Sequence, residues 1–195
     1  MIVKKLSYQS WNLVAWVALG ISIMLAIIVI IHGINEPSMR LAIRATARTS
    51  CILFIAAFVA APLQQIWRNS FTQWLRRNRR YLGVSFAVSH GFHAIAIFGL
   101  AIVTSGDSYQ SDPGGMLGYL FIVAMTLTSF NRTAAWLGQR PWQILHTVGM
   151  YYLWLAFLIA FSGRLSESIL LYLPIVILLI LAIMLRLLNL KFGHK

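Results

Sequence analysis

The stretch GVSFAVSHGFHAIAIF, residues 83–98, sets His90 and His93 three positions apart in an apolar run, and His146 lies in a second such run far along the chain. Three positions along a helix turn a side chain by about 60°, so these two would share a face with Gly83, Phe86 and Ile97. An imidazole in apolar surroundings is neutral, with one N–H to donate and one lone pair to offer a metal. Any one of the three, taken alone, reads more readily as a hydrogen-bonded core residue. Three at compatible depths on two segments point to a common chemistry.

The other polar residues narrow that chemistry. His32 falls at the edge of an apolar run and His194 in the tail, so both read as solvated. All four carboxylates, Glu36, Asp107, Asp112 and Glu167, fall in connections. That argues against a carboxylate proton relay and against the cation-coupled transporters that place acids in the membrane. Serine and histidine are present, but no acid sits at a depth to orient a hydrolytic base. Cys51 is the single cysteine, which excludes an internal disulfide and a thiolate zinc cluster. No Gly-rich nucleotide fingerprint is present. Neutral imidazole is the side chain that serves as an axial ligand to haem iron inside an apolar bundle. One such histidine on each of two facing helices makes a bis-histidine b-type haem site. The small residues Ala87, Gly91, Ala94 and Gly149 are expected to leave room for the porphyrin. Zinc fits poorly, because the set offers neither acid nor thiolate.

The elements that must position these residues are membrane helices. The 195-residue chain is 59% hydrophobic and only 10% charged, against about 25% charged in soluble domains. Its net charge of +12 would suggest nucleic acid in a soluble protein; here the basic residues read as topology signals, and no nucleic-acid partner is expected. Crossing a bilayer takes about 20 apolar residues. Six runs qualify: 11–32, 46–67, 80–104, 115–131, 141–162 and 167–190, the fourth being the shortest. Continuous apolar runs, rather than alternation, select helices. The first run is read as a retained span and not a cleaved signal. Pro62 and Pro174 fall inside spans and are expected to kink them. The fold class is therefore an all-α integral membrane protein, a six-helix bundle forming a single domain over 1–195.

Charge sets its orientation. With the N-terminus inside, the inner segments hold Lys4, Lys5, Arg68, Arg76, Arg77, Arg79, Arg80, Arg132, Arg140, Arg186, Lys191 and Lys195, and the outer ones only Arg40, Arg44, Arg48 and Arg164. The positive-inside rule then predicts both termini inside, in the inner cell membrane. Trp67, Trp74, Trp136 and Trp142 fall at the inner interface, as an aromatic belt does.

The segment RRYLGVSFAVSHGFH (79–93) resembles the opening of the third span of the ferric reductase-like transmembrane domain, and WLGQRPWQILHTVGMYY (136–152) resembles the entry to its fifth span, with Pro141 as one extra residue. RTSCILF (48–54) is similar to its second span. The family includes the haem subunit of the methionine sulfoxide reductase system and the membrane part of ferric reductases and NADPH oxidases. The resemblance implies a six-helix bundle that binds b haem and passes electrons across the membrane. It places His93 and His146 at the family's ligand positions. Two-haem members carry a further ligand along each of those helices; here the positions hold Gly106 or Asp107 and Ile159 or Ala160, so one haem is implied. His90 is an extra histidine, expected to meet a propionate, tune the haem, or replace His93 as ligand.

The basic, aromatic segment WRNSFTQWLRRNRRYLG (67–83) is read as an inner loop that contacts anionic lipid. Its sharper reading is a docking face for a quinone, a flavin or a redox partner protein, with Arg79 or Arg80 pairing a propionate. Arg48 snorkels at the outer end of span two or serves an outer electron exit. Tyr151, Tyr152 and Trp154 read as core packing. The function these features point to is a single-haem electron-transfer component, lacking its own flavin or nicotinamide domain, fed by quinol or a flavin. The rival readings are a transporter using the histidines as metal ligands and a non-redox scaffold or assembly factor.

Overall fold

The computed structural model of the chain describes residues 10–106 and 112–192, with side chains as far as 188. Lys4, Lys5, Asp107, His194 and Lys195 lie outside the described residues, as does the side chain of Lys191. The described residues contain no strand. Their helices are α1 (Trp11–His32), α2 (Glu36–Ile66), α3 (Ser70–Val103), α4 (Pro113–Leu127), α5 (Asn131–Leu137), α6 (Gln139–Ser162) and α7 (Ile169–Phe192). Five of them, α1, α2, α3, α6 and α7, are long and apolar enough to cross a membrane; α4 and α5 qualify only together, bent by 107° at their break. The expected fourth span, 115–131, is thus a broken element whose straight part has 15 residues.

Two helices run beyond the apolar stretches that announced them. α2 begins at Glu36, so Arg40, Arg44 and Arg48 are helical and not in a loop. α3 begins at Ser70, so the expected inner loop 67–83 is a short turn followed by four turns of helix carrying Arg76, Arg77, Arg79 and Arg80. Hydropathy marks what lipid accepts, whereas backbone hydrogen bonding carries a helix on into the headgroup region. The short turns are closed by one device used twice. Asn35 Oδ1 accepts the Ser38 N–H at 2.9 Å while Ser38 Oγ accepts the Asn35 N–H at 3.1 Å. Asn69 and Thr72 repeat it at 2.9 and 3.2 Å. Each pair satisfies helix-start donors reciprocally, in the manner of a capping box.

Packing divides the chain into two units. The first takes residues through Phe54 and those from Asn78 to the end of α3; the second takes Ile55–Arg77 and everything from Asp112 onward. In the first, α1, α2 and α3 share a core around Ile28, Ala42 and Ala96. The antiparallel α2 and α3 pair Met39 with Gly99, Ser50 with Ser89 and Phe54 with Phe86 along their seam. The start of α1 meets the start of this part of α3: the Ser10 N–H donates to Asn78 Oδ1 at 3.1 Å, and Trp11 lies edge-on to Tyr81. In the second unit α6 packs against α4, α5 and α7. The Tyr152 hydroxyl donates to the Gly114 carbonyl at 2.7 Å and Trp154 Nε1 to the Leu179 carbonyl at 2.9 Å, tying α6 to α4 and to α7.

Candidate functional site

His93 projects from α3 onto α2. Its Nδ1 lies 3.1 Å from the Ile43 carbonyl oxygen and 3.0 Å from Thr46 Oγ1. The Thr46 hydroxyl itself donates to the Ala42 carbonyl at 2.7 Å, which leaves its oxygen to accept. A carbonyl can only accept, so Nδ1 carries the proton and Nε2 the lone pair. His90 is brought alongside: its ring centroid is 5.0 Å from that of His93 and 5.5 Å from that of Phe86. One turn from His93, the fully buried Ser50 and Ser89 hydroxyls pair at 2.9 Å, continuing a polar seam through an apolar unit. Small hydroxyl residues are the usual means by which membrane helices approach and bind one another.

His146 sits in the other unit, at the joint between α4 and α6. Its Nε2 is 3.1 Å from Thr128 Oγ1, and its ring stacks on Trp142, one turn earlier, at 4.3 Å between centroids. Trp142 Nε1 donates to the Thr128 carbonyl at 2.9 Å. Two side chains of α6 therefore close on one residue at the end of α4, where the chain turns into α5. The Thr128 hydroxyl donates to the Ala124 carbonyl at 2.7 Å.

The glycines and Arg80 divide. Gly91 and Gly83 have open space where a Cβ would stand. Gly149 does not: a Cβ there would meet Met125 Sδ at 2.5 Å and Phe121 Cδ1 at 3.1 Å, so this glycine admits α4 and leaves no room for a porphyrin. Arg80 lies on α3 with its guanidinium 5.8 Å from the Tyr81 ring. Helix rise alone puts about 20 Å between it and His93 and about 15 Å between it and His90, so the structure does not gather Arg80 with the histidines. Among the described residues no three His, Cys, Asp or Glu side chains form a group able to hold a bare metal ion.

Sequence reasoning missed Arg186, counted above only as an inner charge. It is half-buried on α7. Its guanidinium lies 4.5 Å from the Phe58 ring centroid and 5.1 Å from that of Tyr151, and Nη1 donates to the Phe58 carbonyl at 3.2 Å. Phe58 stands four residues before Pro62 in α2. A proline has no N–H for the carbonyl one turn behind it, so Phe58 lacks its helical donor; Arg186 supplies one. The Phe–x–x–x–Pro spacing announces the orphaned carbonyl, but nothing in the sequence says which side chain will answer it.

These features define an all-helical, multi-pass membrane protein. Comparison with protein-family models, with characterised proteins and with solved structures finds no match. The likeness to the ferric reductase-like domain therefore stands on the quoted motifs alone.

Proposed function

We propose that the chain is a haem b electron-transfer protein of the inner cell membrane, with six spans, both termini inside, and His93 and His146 as axial ligands of a single haem. The observation that carries this reading is the contact of His93 Nδ1 with the Ile43 carbonyl. Its Nδ1–H is engaged by Ile43 and Thr46, which directs the lone pair to Nε2. A ligating histidine characteristically donates its other ring N–H to a carbonyl in this way. For His146, ligation through Nε2 exchanges the Thr128 contact for iron. The Thr128 hydroxyl keeps its bond to the Ala124 carbonyl, so in the structure Nε2 is the donor to Thr128, and ligation requires the ring proton to pass to Nδ1. Haem, when bound, supplies a one-electron couple. The residues of the chain orient the two imidazoles, exclude water and hold protons on the nitrogens that face away from the metal. Donor and acceptor are separate molecules: quinol or a flavin on the basic inner side, and a partner protein or an external acceptor beyond.

The test is a visible spectrum of the detergent-purified protein. A Soret band, with α and β bands on dithionite reduction, is expected. Alanine at His93 or at His146 is expected to abolish it, and alanine at His90 to shift it without loss. A colourless, folded wild-type protein overturns the proposal in favour of a transporter or scaffold. Loss of colour in His90→Ala alone would move the ligand to His90.

A further inference from the structure

The position of Arg186 calls for more than packing. α7 is an apolar helix, and Arg186 lies near the end of its apolar stretch, Ile169–Leu188. Helical side chains lean toward the N-terminus of their helix. For Arg186 that direction is back along α7, away from the nearer end. Its guanidinium accordingly folds in among α2, α6 and α7, onto Phe58, Tyr151 and Met150, whose Sδ is 4.0 Å from Nη1. No salt bridge reaches it among the described residues; Glu36 pairs with Arg40, and Glu167 with Arg164. Among the described residues the charge is thus held by a carbonyl dipole and two ring faces, with no carboxylate against it.

Met150 follows His146 by four residues on α6, a spacing that sets their Cβ atoms about 6 Å apart along one face. Arg186 Nη1 lies 4.0 Å from Met150 Sδ, so its charge is set against the residue one helical turn after His146. In a medium of low dielectric such a charge acts strongly, and salt screens it little.

Resting on the haem reading, we propose that Arg186 is a positioning residue with two linked effects: it caps the Phe58 carbonyl that Pro62 orphans, and the charge thereby fixed beside His146 raises the midpoint potential of the haem. The sign follows from charge. The oxidised haem carries one positive charge more than the reduced form, so a fixed cation nearby disfavours the oxidised form and the couple moves upward.

The experiment is a redox titration of the α band together with a melting curve, on the full chain in detergent, for Arg186→Gln, Arg186→Lys, Pro62→Ala and Pro62→Ala/Arg186→Gln. Arg186→Gln is expected to shift the midpoint to more negative values and Arg186→Lys to hold it near wild type. Pro62→Ala returns an N–H to the Phe58 carbonyl, so Arg186→Gln should lower Tm less in that background than in wild type while still lowering the midpoint. The double variant keeps the test readable if Arg186→Gln alone does not fold. An unchanged midpoint in the glutamine variants overturns the electrostatic effect. An equal loss of Tm in both backgrounds overturns the cap. If the wild-type protein carries no haem, the electron-transfer reading fails and the electrostatic effect with it, whereas the melting cycle still decides the cap.

Discussion

His93 Nδ1 lies 3.1 Å from the carbonyl oxygen of Ile43, a hydrogen bond across the α2–α3 seam in which only the imidazole can donate. Thr46 adds a second acceptor at 3.0 Å. The two are not equal partners. Ile43 is backbone, beyond the reach of ordinary substitution, while Thr46 can be changed without altering the tautomer. Thr46→Val keeps the shape and removes, in a fully buried position, both the contact with His93 and the hydroxyl's own bond to the Ala42 carbonyl. A loss of about 1 kcal/mol in unfolding free energy is expected, read from denaturation in mild detergent, with the Soret band retained. Loss of the Soret band in this variant would show that the hydroxyl, and not the carbonyl, fixes the ring.

Thr128 stands against His146 in a different relation. Its hydroxyl faces Nε2, the nitrogen that iron would take. Thr128→Val removes that competitor and leaves the Trp142 indole on the Thr128 carbonyl, which is backbone. Haem affinity is expected to rise roughly fivefold, the equivalent of about 1 kcal/mol for one hydrogen bond. Titration of the apoprotein with hemin measures it. A fall in affinity would mean that Thr128 holds the ring ready for the metal.

How far the sequence foretold this arrangement depends on the range of the interaction. Apolar runs located the long helices, because lipid acts on each segment separately. Their true ends at Glu36 and Ser70 escaped notice: the caps that set them, Asn35 with Ser38 and Asn69 with Thr72, are polar signals outside the apolar windows. The closeness of His90 and His93 was legible, since three residues of helix dictate it. The partners of the histidines were not. Thr46 lies 47 residues from His93, and Thr128 lies 18 from His146. Gly149 was misread for the same reason: a glycine on a helix is equally a space for a ligand or for a neighbouring helix, and only Met125 and Phe121 decide between them.

Gly91 and Gly149 should therefore respond oppositely to alanine. At Gly91 nothing lies within 4 Å of the added carbon, and the helix gains by as much as about 1 kcal/mol from the better helix former. At Gly149 the carbon would stand 3.1 Å from a Phe121 ring atom and closer still to Met125, at a cost of about 1–3 kcal/mol for overpacking. Melting curves of the two variants without added haem make the comparison. The haem-loaded protein carries a second reading: if the flank of Gly91 receives the porphyrin, Gly91→Ala lowers haem affinity while raising the stability of the apoprotein. Equal effects in the two states would place the haem elsewhere.

Orientation can be read through the single cysteine. Cys51 is fully buried, so the native protein should resist maleimide until it is unfolded. In a Cys51→Ala background, exposed positions report their own side of the membrane. Gln65 lies at the end of α2 and Ser166 between α6 and α7, both exposed. The excess of arginine around the α2–α3 turn assigns Gln65 to the inside, and alternation along the chain assigns Ser166 to the outside. An impermeant maleimide added to intact cells should label Ser166→Cys at once and Gln65→Cys only after permeabilisation. The reverse pattern would invert the whole arrangement and put the basic turn, with any quinol or flavin it receives, on the outer face. Labelling of both positions only after permeabilisation would instead mean that the bent pair α4–α5 re-enters without crossing, because five spans, and not six, would then carry the chain from one face to the other.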